Sequence, residues 1–319
     1  MDKRVIMFCG KGGVGKTTCA AATALHFATS GKRTLIISTD LTPSLRDIFE
    51  IESGGKLVEV TEDLYLHEIG YDEIREMWER KFGPEVYEVF STFVDIAYPD
   101  FVDFVASILP GIRDEFMVDY IKELSESGEY KAIVWDTAPA GQTLGLLQMP
   151  AIINQHLKPA PRIYSALKTG KRGKRSIMQV IRGWEELSNK DIEFLKTGVE
   201  FNLVTIPEAL AVRQLDGIFD ELRRYGLEID RVIINQVIRE PDSEFLRDRM
   251  TMQQGYIEEI VQFSLRLNSF SSKIGYGKPC RFLPLFSYEI RGIERLKEVE
   301  RFLFAELSSA LPINPSAIG

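Results

Sequence analysis

Thiols and imidazoles are scarce in this chain. Only Cys9, Cys19 and Cys280 occur among 319 residues. Scattered and odd in number, they exclude a disulfide framework and a zinc knuckle and point to a reducing compartment. His26, His67 and His156 stand alone, without metal-ligand spacing. No apolar run approaches the roughly 20 residues that cross a bilayer. The chain opens almost at once on an apolar strand, which leaves no room for a signal peptide. A cytoplasmic location is therefore expected. Positive charge is also in deficit, with a net charge of −8 and a pI of about 5.2. That disfavours a long nucleic-acid or anionic-membrane surface, so no nucleic-acid partner is expected. What remains is ordinary for a globular protein, 45% hydrophobic and 27% charged. The length suits one large α/β domain or two small ones.

Glycine is where the information concentrates. Residues 4–18 read RVIMFCGKGGVGKTT. Val5–Cys9 is short, apolar and β-prone, which predicts a buried strand. Gly10, Lys11, Gly12, Gly13, Val14, Gly15, Lys16 and Thr17 fit G-x-x-x-x-G-K-[ST], and Cys19–Ala28 predicts an alanine-rich helix. Strand, glycine loop and helix are the context that phosphate binding requires. With no Cβ in the way, consecutive N–H groups turn toward one anion. The helix N-terminus adds its partial positive charge. The expected nucleotide-binding set is Gly10 to Thr18, with Lys16 on the β- and γ-phosphates and the Thr17 hydroxyl on magnesium. The alternative is a glycine-rich turn with no ligand. Lys11 is the unusual member, a second lysine that the loop does not need. It either adds to the positive charge around the phosphates or reaches outside its own subunit.

Buried strands are predicted at 34–38, 64–69, 132–135, 202–206, 232–237 and 281–285, and helices at 143–157, 176–195, 208–225, 243–267 and 292–311. Strands alternating with helices imply a mostly parallel α/β sheet covered on both faces, whose ligands bind at the carboxyl ends of the strands. Gly10, Asp40, Asp136 and Asn235 all lie at or near such ends. Two helical stretches, about 72–128 and 160–199, interrupt the alternation and are expected to form one inserted helical subdomain in a single domain spanning 1–319.

A nucleotide hydrolase also needs an acid near magnesium and a group that orients water. Asp136 follows the strand AIVW and is the expected magnesium-shell carboxylate, its alternative being a cap on the strand-to-loop turn. Asp40 follows TLIIST. It stands either where water opposite the γ-phosphate would be held or as the cap of a helix near 44–49. The segment DTAPAGQT, Asp136 to Thr143, is small and contains Gly141. A loop of that kind moves when the γ-phosphate leaves.

GKGGVGKTT, STDLTPSLRD, DTAPAGQTLGLLQMP, the INQV strand end and PLFSYEIRG together resemble the arsenical pump-driving and tail-anchored-protein-targeting ATPase family. This family lies within the P-loop class that carries a second, signature lysine (a deviant Walker A motif). The resemblance implies a P-loop NTPase fold and a homodimer that closes on ATP and magnesium across the nucleotide site. It implies that Lys11 crosses to the partner's phosphates, that Asp40 positions or activates water, and that Asp136 supports magnesium from the second shell. It further implies that Asn235, with Leu285, Phe286 and Ser287, holds adenine. Asp40 and Asp47 would bound switch I, and Asp136 and Gly141 would belong to switch II. This chain departs from the family in switch I, DLTPSLRD in place of DPAHSLSD, and in Gln142 for histidine. The stretch before Met252 and Gln253 has no C-x-x-C pair, so no zinc is expected. No cysteine lies between Cys19 and Cys280, which argues against three-thiolate binding of arsenite.

The function expected from this resemblance is an ATP-hydrolysing dimeric switch that binds a hydrophobic client helix, as tail-anchored-protein targeting factors do. Alternatives are the ATPase subunit of an anion or metalloid export pump and a positioning ATPase of the wider class. Phe90, Phe93, Phe101, Phe104 and Met117 either line a groove for that client or pack the subdomain core. The basic run 167–175, LKTGKRGKR, is read as a solvated connection or as a contact for an acidic receptor or lipid headgroups. Transient membrane association is compatible with either reading.

Overall fold

The computed structural model describes residues 5–40, 44–52, 56–91, 94–108, 110–138, 140–159, 171–270 and 280–304. Phe93, the middle of switch I (41–43) and the start of the basic run (167–170) lie outside the described residues. Eight strands form one sheet: β1 (Val5–Cys9), β2 (Thr34–Ser38), β3 (Leu57–Thr61), β4 (Leu64–Glu68), β5 (Ala132–Asp136), β6 (Val199–Thr205), β7 (Ile229–Val237) and β8 (Arg281–Pro284). Their order is β3-β4-β2-β5-β1-β6-β7-β8. Every neighbouring pair is parallel except β3 and β4. All five residues of β1, β2 and β5 are buried. Burial on both faces requires an unbroken apolar run, which is why these strands do not alternate. β3 has a different character: it lies at the edge, and its Leu57 is 48% exposed.

Helices α1 (Lys16–Thr29), α2 (Leu45–Ile48), α3 (Tyr71–Phe90), α4 (Tyr98–Ile108), α5 (Pro110–Ser127), α6 (Ala140–Leu157), α7 (Lys171–Thr197), α8 (Ala209–Arg224), α9 (Glu244–Phe270) and α10 (Gly292–Phe304) complete the described elements. α1 buries Cys19, Ala20, Ala21, Ala22, Ala24 and Ala28 against one core with Leu296, Val299 and Leu303 of α10. Small side chains bring the α1 backbone close to the strands, which carries its N-terminus to the sheet edge.

The chain divides into two compact units. The first comprises 1–68, 128–143 and 199–319 and holds the sheet; the second comprises 69–127 and 144–198 and is helical. The second segment of the helical unit begins at Leu144, not near residue 160, because most of α6 clusters with the helices. Inside that unit Phe101 touches Trp78, Tyr87, Phe90 and Tyr98, and Phe82 touches Phe116 and Trp184. Phe101 and Met117 are fully buried here, so these two candidate client contacts are core residues, whereas Phe104 is 41% exposed. A buried polar knot joins three of the helices: the Lys122 ammonium bonds Asp119 at 2.8 Å and also Asp191, and Lys81 bonds Asp119. Attraction in such a knot is comparable to the cost of desolvating it, so the knot by itself adds little to stability. Among the described residues no helix is long and apolar enough to cross a membrane.

Candidate functional site

The strand register assembles the site. Phe8 and Ser38 are both paired with Asp136. Gly10 and Asp40, each two residues further on, therefore leave the sheet at one level on either side of β5. Past β1 the chain turns through Gly10, Gly13 and Gly15 at φ 147°, 79° and 94°, a region that side chains rarely adopt. At Gly10 an added Cβ would fall 2.2 Å from the backbone oxygen of Val204. A backbone atom of β6 cannot rotate away, so Gly10→Ala is expected to destabilise the protein by about 2–4 kcal/mol. A urea midpoint within error of wild type would refute that.

Gly15 caps α1 in the left-handed conformation, with no side-chain cap and no acidic residue in the first turn. The N–H groups of that turn thus remain for an outside anion. Lys16 opens the helix. Its side chain is buried, and its Nζ lies 3.3 Å from the Lys11 carbonyl oxygen, to which it donates. Burial pulls its pKa down, against the opposing pull of Asp136 and Asp40. The Thr17 hydroxyl donates to Asp136 Oδ2 at 3.0 Å. Asp136 is 2% exposed, and its Oδ1 has no hydrogen-bond partner. Burial pushes its carboxyl up to about 7, although the Thr17 bond and the Lys16 charge pull the other way.

Among the described residues no three His, Cys, Asp or Glu side chains converge as a metal cage. The Thr17 and Asp136 oxygens are instead the open, hard-oxygen set that magnesium takes together with phosphate oxygens. An orphaned carboxylate oxygen buried beside that hydroxyl fits such an ion.

The segments that flank the loop are bonded to it or to Asp136. The N–H of Ala140 donates to the Gly10 carbonyl at 3.0 Å, and the N–H of Thr39 donates to the Asp136 carbonyl at 3.1 Å. Trp135 Nε1 donates to the Thr39 hydroxyl at 3.0 Å. Thr137 donates to the Phe8 carbonyl and Thr143 to the Ala138 carbonyl, both at 2.7 Å, and the two hydroxyls lie 3.0 Å apart. Asp40 is half-buried, within electrostatic reach of Lys16 and Asp136. Lys11, Thr17 and Thr18 are half-buried, and Gly12 and Gly13 are exposed. Asp47 and Gly141 are exposed, Gly141 directly after Ala140. The hydroxyls of Thr137 and Thr143 were not singled out from sequence, though both lie in the DTAPAGQT segment that was.

Asn235 arrives from β7. Its Nδ2 donates to the Val14 carbonyl at 2.9 Å, and its Oδ1 accepts from the Gln236 N–H at 2.8 Å. An amide offers two hydrogens and two lone pairs, so capacity for a base remains. The Leu285 N–H donates to the Val237 carbonyl at 2.9 Å, which fixes the start of the Leu285–Ser287 loop beside β7. Leu285 and Ser287 are exposed, and the Phe286 ring packs against Phe302 and Tyr288.

Known proteins are similar to this chain in sequence. Residues 3–305 match the family model described as anion-transporting ATPase (ArsA ATPase). The chain is 30% identical over 311 residues to a protein of Aquifex aeolicus named arsenical pump-driving ATPase 2, covering 94% of this chain and 99% of that one. It is 30% identical over 315 residues to the ATPase GET3A of Arabidopsis thaliana, covering 90% of this chain and 80% of the relative. It is 27% identical over 326 residues to the ATPase GET3 of Chaetomium globosum, covering 94% and 90%. The chain belongs to the anion-transporting ATPase family and hydrolyses ATP.

Proposed function

We propose that the protein is a magnesium-dependent, dimeric ATP switch of the cytoplasm that captures a hydrophobic client segment, in the manner of tail-anchored-protein targeting. The observation that carries this reading is the bonding of the flanking loops to the phosphate machinery, Ala140 to Gly10 and Thr39 to Asp136. Loops held this way respond when the contents of the site change. Lys16 and the first turn of α1 bind the phosphates. Thr17 and Asp136 would hold magnesium, which when bound supplies charge neutralisation at the β- and γ-phosphate oxygens. Asp40 orients the attacking water and accepts its proton. Asn235 and Leu285–Ser287 frame the base. Lys11 reaches the phosphates of the second copy. The client is expected on the helical unit near its exposed Phe104.

The pump reading draws on relatives named arsenical pump-driving ATPases. Arsenite is bound by thiolates, and here Cys9 and Cys19 are buried thiols, the first pushed up to about 12 by burial. The switch reading is therefore preferred.

Asp40→Asn is expected to bind ATP with ordinary affinity, to stop turning over and to accumulate as an ATP-bound dimer. Light scattering after size exclusion measures the dimer. Crosslinking to a peptide carrying an apolar tail-anchor helix, with and without ATP, measures capture. Lys11→Ala should remain monomeric under the same conditions. Normal turnover by Asp40→Asn would remove that residue from the chemistry. An Asp40→Asn protein that stays monomeric with ATP and captures no peptide would sink the switch.

A further inference from the structure

β7 departs from regular pairing with β8 at one place. Ile234 pairs with Phe282 and Val237 with Pro284, so three steps along β7 match two along β8. Within this bulge Gln236 has φ 59°, a left-handed conformation in a residue that is not glycine. An L side chain resists that conformation unless its surroundings impose it. Bulges of this kind re-aim a neighbouring side chain beside an active site. Here the neighbour is Asn235, whose amide is turned onto the Val14 carbonyl of the phosphate loop.

Gln253 is bonded to both sides of that conformation. It lies on α9, 4% exposed, and its two polar atoms straddle the bulge. Nε2 donates to the Gln236 carbonyl at 3.0 Å, and Oε1 accepts from the Ile238 N–H at 2.9 Å. The Gln236 N–H in turn donates to Asn235 Oδ1. A chain of bonds therefore runs from α9 through the bulge to the loop, and each link uses a group that would be costly to leave unpaired. Its last link fills the space above Gly15, where an added Cβ would fall 2.3 Å from Asn235 Nδ2.

We propose that Gln253 is a positioning residue for ATP binding: by clamping the β7 bulge it holds Asn235 against Val14 and so fixes the Val14–Gly15 turn that receives the phosphates. This rests on the assignment of ATP to the glycine loop. The test compares wild type, Gln253→Leu, Gln253→Glu, Asn235→Ala and the Gln253→Leu/Asn235→Ala double variant. For each, ATP affinity is titrated with a fluorescent ATP analogue, kcat and KM are measured, and the thermal midpoint is recorded. Gln253→Leu should weaken ATP binding about tenfold, the scale of one lost hydrogen bond network link, with kcat within about threefold of wild type. Gln253→Glu keeps the volume and the bond from Ile238 but cannot donate to Gln236. It should also weaken ATP binding, and it carries the test if the leucine variant does not fold. In the Asn235→Ala background the Gln253→Leu effect on affinity should vanish, because the clamp acts through Asn235. Lower thermal midpoints with unchanged ATP affinity, or losses of affinity that add fully in the double variant, overturn the clamp alone. Wild-type protein that does not bind the analogue overturns the clamp and the site assignment together.

Discussion

Lys16→Ala should lower ATP turnover by about a thousandfold or more, the scale seen when a preorganised donor to developing charge is removed. The structure explains why so much rests on one side chain. The Lys16 ammonium is already buried and held toward its own loop by the Lys11 carbonyl. The desolvation that lowers its pKa is suffered before nucleotide arrives, so phosphate meets a cation that need not be stripped of water. Lys11, assigned above to the phosphates of the second copy, is not expected to substitute. Phosphate release assays with equilibrium nucleotide binding check this. Turnover within tenfold of wild type would contradict the geometry.

Asp136→Asn should combine two opposite effects, loss of ATP turnover by about a hundredfold or more and a gain in stability without nucleotide. The second follows from linkage. Burial raises the folded-state pKa of Asp136 from 3.8 to about 7. Between these values the folded protein holds a proton that the unfolded chain does not. The contribution to stability is fully present below pH 3.8 and is lost as pH rises through about 7. At roughly 1.4 kcal/mol per unit, the ionised carboxylate costs the nucleotide-free fold a few kcal/mol at pH 8. Asparagine cannot ionise and can still accept from Thr17. Urea unfolding should therefore find the variant more stable than wild type at pH 8 and nearly equal to it at pH 4. Equal stability at pH 8 would show that the carboxylate is compensated in some other way. On the proposed function, that cost to the empty protein is what places a charged oxygen beside Thr17.

Much of the site was legible in the sequence because its parts follow buried parallel strands. Such strands read as apolar runs, and the residue after each run lies at the ligand edge. That argument located Gly10, Asp40 and Asp136 without any contact being known. β3 was missed for the opposite reason: LVEVT lies at an antiparallel edge, and its exposed Leu57 breaks the rule that apolar means buried. The start of β7 was hidden by Asp230 and Arg231, polar residues within the strand. Pro84 and Pro150 lie inside α3 and α6, and the helix expected at 143–157 runs through Pro150 because the apolar spacing continues past it. The core role of Phe101 could not be separated from a groove role, since both need the same apolar spacing. Nothing local announces that Gln236 is left-handed, because the signal residue for that conformation, glycine, is not used. The bonds on either side of it come from Gln253, far along the chain.

The two thiols that bracket the phosphate loop have a chemical consequence. Cys9 ends β1 and Cys19 lies in the first turns of α1, both fully enclosed by the core. Peroxide attacks thiolates that it can reach, and burial holds both of these in the protonated form. The folded ATP site is thereby insulated from oxidants. Sulfenylation at either position would require the core around it to open first.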